Sequence, residues 1–163
     1  MFDNFSVRAR QVVFVARFKA GERGATAIDV DDFIDALILE DQGMVESIFS
    51  KMYEGQGIAL NKCPSHVSFF SADIARDLIS NVEKSLPRSQ PVSLTTDIPL
   101  SASMETAFNS AKSFQTRFRY QQVEPLHLLA AILKEASSQG VKLLQGSGIT
   151  QEKVVLALSA DHT

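Results

Sequence analysis

The sequence predicts an all-α fold, with two four-helix repeats packed as a pseudo-two-fold dimer. Three observations carry this. Apolar residues recur at three- and four-residue spacing through most of the 163 residues. Ser, Thr, Asp and Glu stand where such runs begin, and Gly or Pro where they stop. The pattern then restarts after a proline-rich stretch.

Ser6 caps a first helix running to about Ala20, with Val12, Val13, Ala16 and Ala20 on one face. Gly21 and Gly24 break it. Asp29 caps a second helix with an apolar stripe of Phe33, Ile34, Leu37 and Ile38. After Gly43 a short helix is expected at about 44–52. Residues 53–70 read as a loop, broken at Gly55, Gly57 and Pro64. Ser71 caps a helix over about 72–85, with Ile74, Leu78, Ile79 and Val82 on one face. "PRSQPVSLTTDIP" follows as a linker. Ser101 opens a helix to about 118, carrying Met104, Ala107, Phe108, Ala111 and Phe114. Glu124 and Pro125 open the next, because proline suits a first helical position, where its missing N–H is not needed. A short helix near 139–145 stops at "GSG", and Thr150 caps a last helix to about Leu158.

The restart is an internal repeat. Ser6 and Ser101 stand 95 positions apart, and the same offset pairs Phe5 with Leu100, Ile28 with Val123 and Asp29 with Glu124. It also pairs Phe33, Ile34 and Leu37 with Leu128, Leu129 and Ile132. The agreement is in apolar character and cap position, which a shared packing scheme demands. Residues 1–163 are therefore read as one unit, with repeat one at 1–86, a linker at 87–99 and repeat two at 100–160. Each repeat is too small to bury a good core alone.

Charge and motifs exclude several functions. The net charge of −3 argues against nucleic acid as a partner. No apolar run approaches the ~20 residues of a membrane helix, and "MFDNFSVRARQVVFVARFKAG" does not read as a signal peptide. The expectation is a cytoplasmic protein with no membrane partner. No phosphate-binding loop, nucleophile elbow or His-Glu-x-x-His occurs, so no enzyme, catalytic residue, cofactor or metal is expected. Cys63 and His66 read as incidental loop residues, and His162 has no ligand-spaced partner. Aromatic residues at helical spacing, including Phe14, Phe108 and Phe114, read as core. Six acids between 29 and 41 have no intervening base: Asp29, Asp31, Asp32, Asp35, Glu40 and Asp41. They read as a solvated helix face or, more sharply, as a docking surface for a cationic partner, with Asp31, Asp32 and Asp35 as contacts. Phe2 and Phe5 precede the first helix and either clamp the terminus onto the body or join an exposed apolar patch that binds protein.

The opening "MFDNFSVRARQVV", the signature "VEPLHLLAAIL" and the restart "IPLSASMETAFNSA" resemble the N-terminal domain of Clp ATPases. The likeness spans about residues 1–159. It implies a non-enzymatic recognition module that binds unfolded or substrate proteins and an adaptor protein alongside Clp ATPase and protease components. An alternative is a stand-alone accessory subunit that stabilises a Clp protease complex without recognising substrate; the residues fit such a form and the N-terminal domain of a longer Clp ATPase equally. Relatives that bind phosphoarginine carry Thr-Glu directly before the signature histidine. Here those positions are Val30–Asp31 and Pro125–Leu126, and Leu126 cannot receive a guanidinium group, which argues against two symmetric sites of that kind. The Pro-Leu-His variant looks more like the disaggregase branch. His127, in the first turn behind Glu124 and Pro125, reads as a structural residue whose counterpart in repeat one is Asp32.

Overall fold

Serine opens the first helix. In a computed structural model that describes residues 4–45, 48, 68–93, 95–135 and 137–160, the Ser6 Oγ accepts from the Ala9 N–H at 3.1 Å, and α1 runs Val7–Glu22. Phe2, Cys63, His66 and His162 lie outside the described residues, as do most of the helix expected at 44–52 and all but the end of the 53–70 loop. The remaining helices are α2 (Val30–Asp41), α3 (Ala72–Ser85), α4 (Ala102–Arg117), α5 (Pro125–Ile132), α6 (Gln139–Gly146) and α7 (Gln151–Ala160). Among the described residues there is no strand beyond two isolated bridges.

Those two bridges carry the pseudo-dyad. Phe5 pairs with Val123 and Ile28 with Leu100, both parallel. Adding 95 to one bridge gives the other with its partners exchanged. The hydrogen bonds obey the same rule. Ser6 N–H donates to the Val123 carbonyl and Ser101 N–H to the Ile28 carbonyl, each at 3.0 Å. Val123 N–H donates to Asn4 and Ile28 N–H to Pro99, each at 2.8 Å. Each half thus satisfies the backbone just ahead of the other half's first helix, and orphan amides there would otherwise be left without partners.

The core forms where the helix stripes meet. Phe33, Ile34 and Ile38 of α2 and Leu128, Leu129 and Ile132 of α5 are fully buried or nearly so. α2 packs on α1, α3, α5 and α6, so it is the central element of the first half. Phe108 receives the edges of Phe5 and Phe33, with ring centroids at 5.6 and 5.3 Å. Such T-shaped pairs add attraction beyond burial. Phe5 is therefore core, and the exposed apolar patch considered for it is corrected. Phe14 is corrected in the other direction. It is 49% exposed, because Ala9, Val12, Ala16 and Ala20 define the buried stripe and Phe14 points away from it.

The 87–99 stretch lies along the C-terminal end of α1. Ser89 N–H donates to the Arg23 carbonyl and Val92 N–H to the Gly21 carbonyl, both at 2.8 Å. Gly24 is required there: its φ is +74°, and a Cβ would sit 2.3 Å from the Gln90 carbonyl oxygen. Its counterpart Arg119 has φ +62° but is not glycine. The left-handed turn recurs, but only Gly24 also has the 87–99 segment packed against it.

Candidate functional site

The two histidine-position residues sit in mirrored caps. In repeat one the Asp29 side chain accepts from Val30 N–H at 2.8 Å, while Asp32 accepts from the Asp29 N–H at 2.9 Å. In repeat two His127 Nδ1 accepts from the Glu124 N–H at 2.8 Å, with Pro125 at the first helical position. Asp32 and His127 thus do one job, closing a helix start from its third position. His127 is fully buried, with its ring against Tyr120 at 4.6 Å, edge to face. Removing it takes away both a cap and a packed ring. His127→Ala is expected to lower stability by about 2–4 kcal/mol in urea unfolding. A variant as stable as the parent would sink this assignment.

The acidic run is the main correction. Asp32, Asp35, Glu40 and Asp41 are buried, so this face is neither solvated nor available as a docking surface. Each acid has a distant or backbone partner. Glu40 is gripped by Arg8 at 2.9 and 2.8 Å, and Asp32 by Arg23 at 2.8 Å to each oxygen. Asp41 accepts from the Phe69 and Phe70 N–H groups at 2.7 and 3.0 Å. Asp31, half-buried, caps α6 by accepting from Ser138 Oγ and from the Gly140 N–H at 3.0 Å. It serves the joint between halves. Asp29 remains exposed, and its carboxylate also accepts from Ser101 Oγ at 3.0 Å. Phe5 is in the core, and Phe2 is outside the described residues.

A cavity lies on the seam between the halves. It measures about 240 Å³. Leu126, Leu129 and Pro125 of α5 line one wall, and Leu37, Phe69 and Phe70 another. The Arg8–Glu40 pair and Glu124 supply the polar side. Burial raises the Glu124 carboxyl above its usual range, against a Ser6 hydrogen bond and Arg8 that lower it. Tyr120 donates to the Leu158 carbonyl at 2.8 Å and so fixes the far end. The slot thus combines apolar walls with a polar side in which Glu40 is buried and Arg8 partly exposed. Among the described residues no group of three His, Cys, Asp or Glu is placed to hold a metal ion. Sequence reading missed Arg8, Glu40, Phe69 and Phe70 as members of this slot. From the sequence alone Leu126 shows only as a residue that rejects guanidinium.

The model of the Clp repeat (R) N-terminal domain matches residues 4–147 and again 99–161. Among curated protein sequences none matches. Among solved structures, a chain from a study of a malarial protein secretion system superposes with TM-score 0.70 at 14% identity, covering 98% of this chain and 95% of that one. The N-terminal domain of the caseinolytic protease-associated chaperone ClpD from Arabidopsis thaliana superposes with TM-score 0.64 at 17% identity, covering 99% and 96%. The Hsp104 N-terminal domain from Candida albicans gives 0.64 at 14%, covering 96% and 89%. At these identities the three likenesses speak for the fold. Among the described residues no helix is long and apolar enough to cross a membrane.

Proposed function

The chain belongs to the Clp repeat N-terminal domain family, and from that premise we propose that it recognises substrate or adaptor proteins for a Clp chaperone or protease system, without catalysis of its own. In this reading, residues 1–86 and 100–160 act as two repeats whose seam is the recognition groove. The observation that supports it is the slot of about 240 Å³ on that seam, walled by Leu126, Leu129, Phe69 and Phe70 around the Arg8–Glu40 pair. An unfolded segment offers side chains that a folded protein hides, and an apolar slot with a fixed polar rim takes one of them.

Leu126 gives the sharpest test, because it lines the slot and is only partly buried. Leu126→Glu puts an uncompensated charge in the apolar wall, beside Glu124. The expected result is at least a roughly tenfold weaker affinity for an unfolded model protein, read by fluorescence anisotropy. The thermal midpoint should move little. Unchanged binding by a folded Leu126→Glu variant would remove the seam from consideration.

A further inference from the structure

The two halves treat one corresponding place in opposite ways. In the first half, the last turns of α1 meet α2 and α3 in a closed charge network. Lys19 Nζ lies 2.8 Å from Glu83 and 3.7 Å from Asp35, and Arg23 forks onto Asp32. The space left is about 20 Å³, room for roughly one water. Ninety-five positions later, the network has been rewritten. Phe114 stands for Lys19, Arg117 for Glu22, Phe118 for Arg23, His127 for Asp32 and Ala130 for Asp35. The acids are gone and a cation has replaced one of them.

The second groove is correspondingly open, at about 300 Å³. Arg117 and Lys134 enter it from α4 and from the turn after α5, with Ser110, Ser113 and Gln151 beside them, and no carboxylate lines it. Both cations are exposed, and neither takes part in an ion pair among the described residues. Aromatic faces hold them instead. Lys134 Nζ lies 5.0 Å from the Phe114 centroid and the Arg117 guanidinium 5.2 Å from that of Phe118. The two rings are stacked, 6.3 Å apart and 6° from parallel. A ring face restrains a cation but leaves its N–H donors unfilled, so little further ordering is needed when an acceptor arrives.

We propose that this groove binds an acidic segment of a partner protein, with a Glu or Asp carboxylate bridging Arg117 and Lys134 and a neighbouring apolar side chain against Val155. A carboxylate receives charge-assisted hydrogen bonds from both cations, and Ser110 and Ser113 add hydroxyl donors. Val155, partly buried, gives the groove an apolar edge above the buried Phe114. A free inorganic anion would leave Val155 uncovered, whereas an acid with an apolar neighbour meets both the cations and this edge. The surface is separate from the seam slot, so it does not depend on that slot's assignment.

The test uses the full chain and a labelled peptide of alternating Glu and Leu, with the Gln–Leu peptide as control, followed by anisotropy. The Glu peptide should bind at least about tenfold more tightly than the Gln peptide. Raising salt from about 0.05 to 0.5 M should weaken it several-fold, since both cations are exposed. Arg117→Gln and Lys134→Gln should each weaken it about fivefold or more, with thermal midpoints preserved. Two variants guard against one failing to fold. Equal binding of both peptides, or indifference to both substitutions, overturns the proposal. Complete displacement by millimolar inorganic phosphate overturns it too, in favour of a small-oxyanion site.

Discussion

Arg23→Ala is expected to destabilise the domain by about 3–5 kcal/mol, well beyond an ordinary surface substitution. The Asp32 side chain is fully buried and that of Arg23 is 11% exposed. Nε and Nη2 each reach a different carboxylate oxygen at 2.8 Å, the bidentate geometry that only arginine offers. The hydrogen bond to Asp32 is also what chiefly raises the Arg23 pKa. Truncating Arg23 leaves a charged oxygen pair in the core, with the Asp29 N–H still donating to one of its oxygens. The loss then reaches three further features: the cap of α2, the joint of α1 with α2, and the contact of Arg23 with the Pro87 carbonyl at 3.3 Å. Arg23→Lys keeps the charge without the fork, so it should fall between the two. Urea unfolding of the three proteins decides the matter. A loss below about 1 kcal/mol in Arg23→Ala would mean that Asp32 does not rely on Arg23.

This pair also explains where the sequence was legible and where it was not. The stripes Phe33, Ile34, Leu37, Ile38 and Leu128, Leu129, Ile132 are local patterns, and burial follows them directly. Caps at Ser6, Asp29, Ser71 and Ser101 are equally local, since a cap needs only the next three residues. The repeat was visible because cap and stripe recur together. Acids are different. Within a helix, sequence shows partners three or four positions away. The cations that neutralise members of the acidic run come from elsewhere: Arg8 lies 32 positions before Glu40, and Arg23 lies 9 before Asp32. A row of acids without local bases therefore looked solvated, although four of the six are buried. The seam slot was hidden for a related reason. Its walls come from α1, α2, α5 and α7 and from Phe69 and Phe70, which local chemistry marks as loop. Phe70 is nonetheless 4% exposed, held by the Asp41 carboxylate through its backbone.

Asp35→Asn is expected to flatten the pH dependence of stability between about pH 5 and 8, and to make the protein more stable than its parent at the upper end. Asp35 is 1% exposed, and its Oδ1 has no hydrogen-bond partner among the described residues. Lys19 stands 3.7 Å from the other oxygen but gives its short contact, 2.8 Å, to Glu83. Glu22, Arg23, Asp32 and Arg88 border the same small space. Burial, only partly offset by Lys19, pushes the Asp35 carboxyl up to about 8. The unfolded carboxyl titrates near ~3.9, so between these values the fold holds a proton that the unfolded chain has released. The contribution of Asp35 is therefore full below about pH 4 and is lost as the pH rises through about 8, at up to ~1.4 kcal/mol per unit. Glu83 acts in a different window. Although burial opposes it, Lys19 draws its pKa down, so its contribution is present above its unfolded value of ~4.3 and fades only in more acid solution. An asparagine keeps the shape of Asp35 and cannot ionise, so it removes the first slope and leaves the second. Urea midpoints taken at unit intervals from pH 4 to 9 for both proteins separate the two. Parallel curves across that range would mean that Asp35 is ionised throughout and fully served by Lys19, and the neutral buried acid would have to be abandoned.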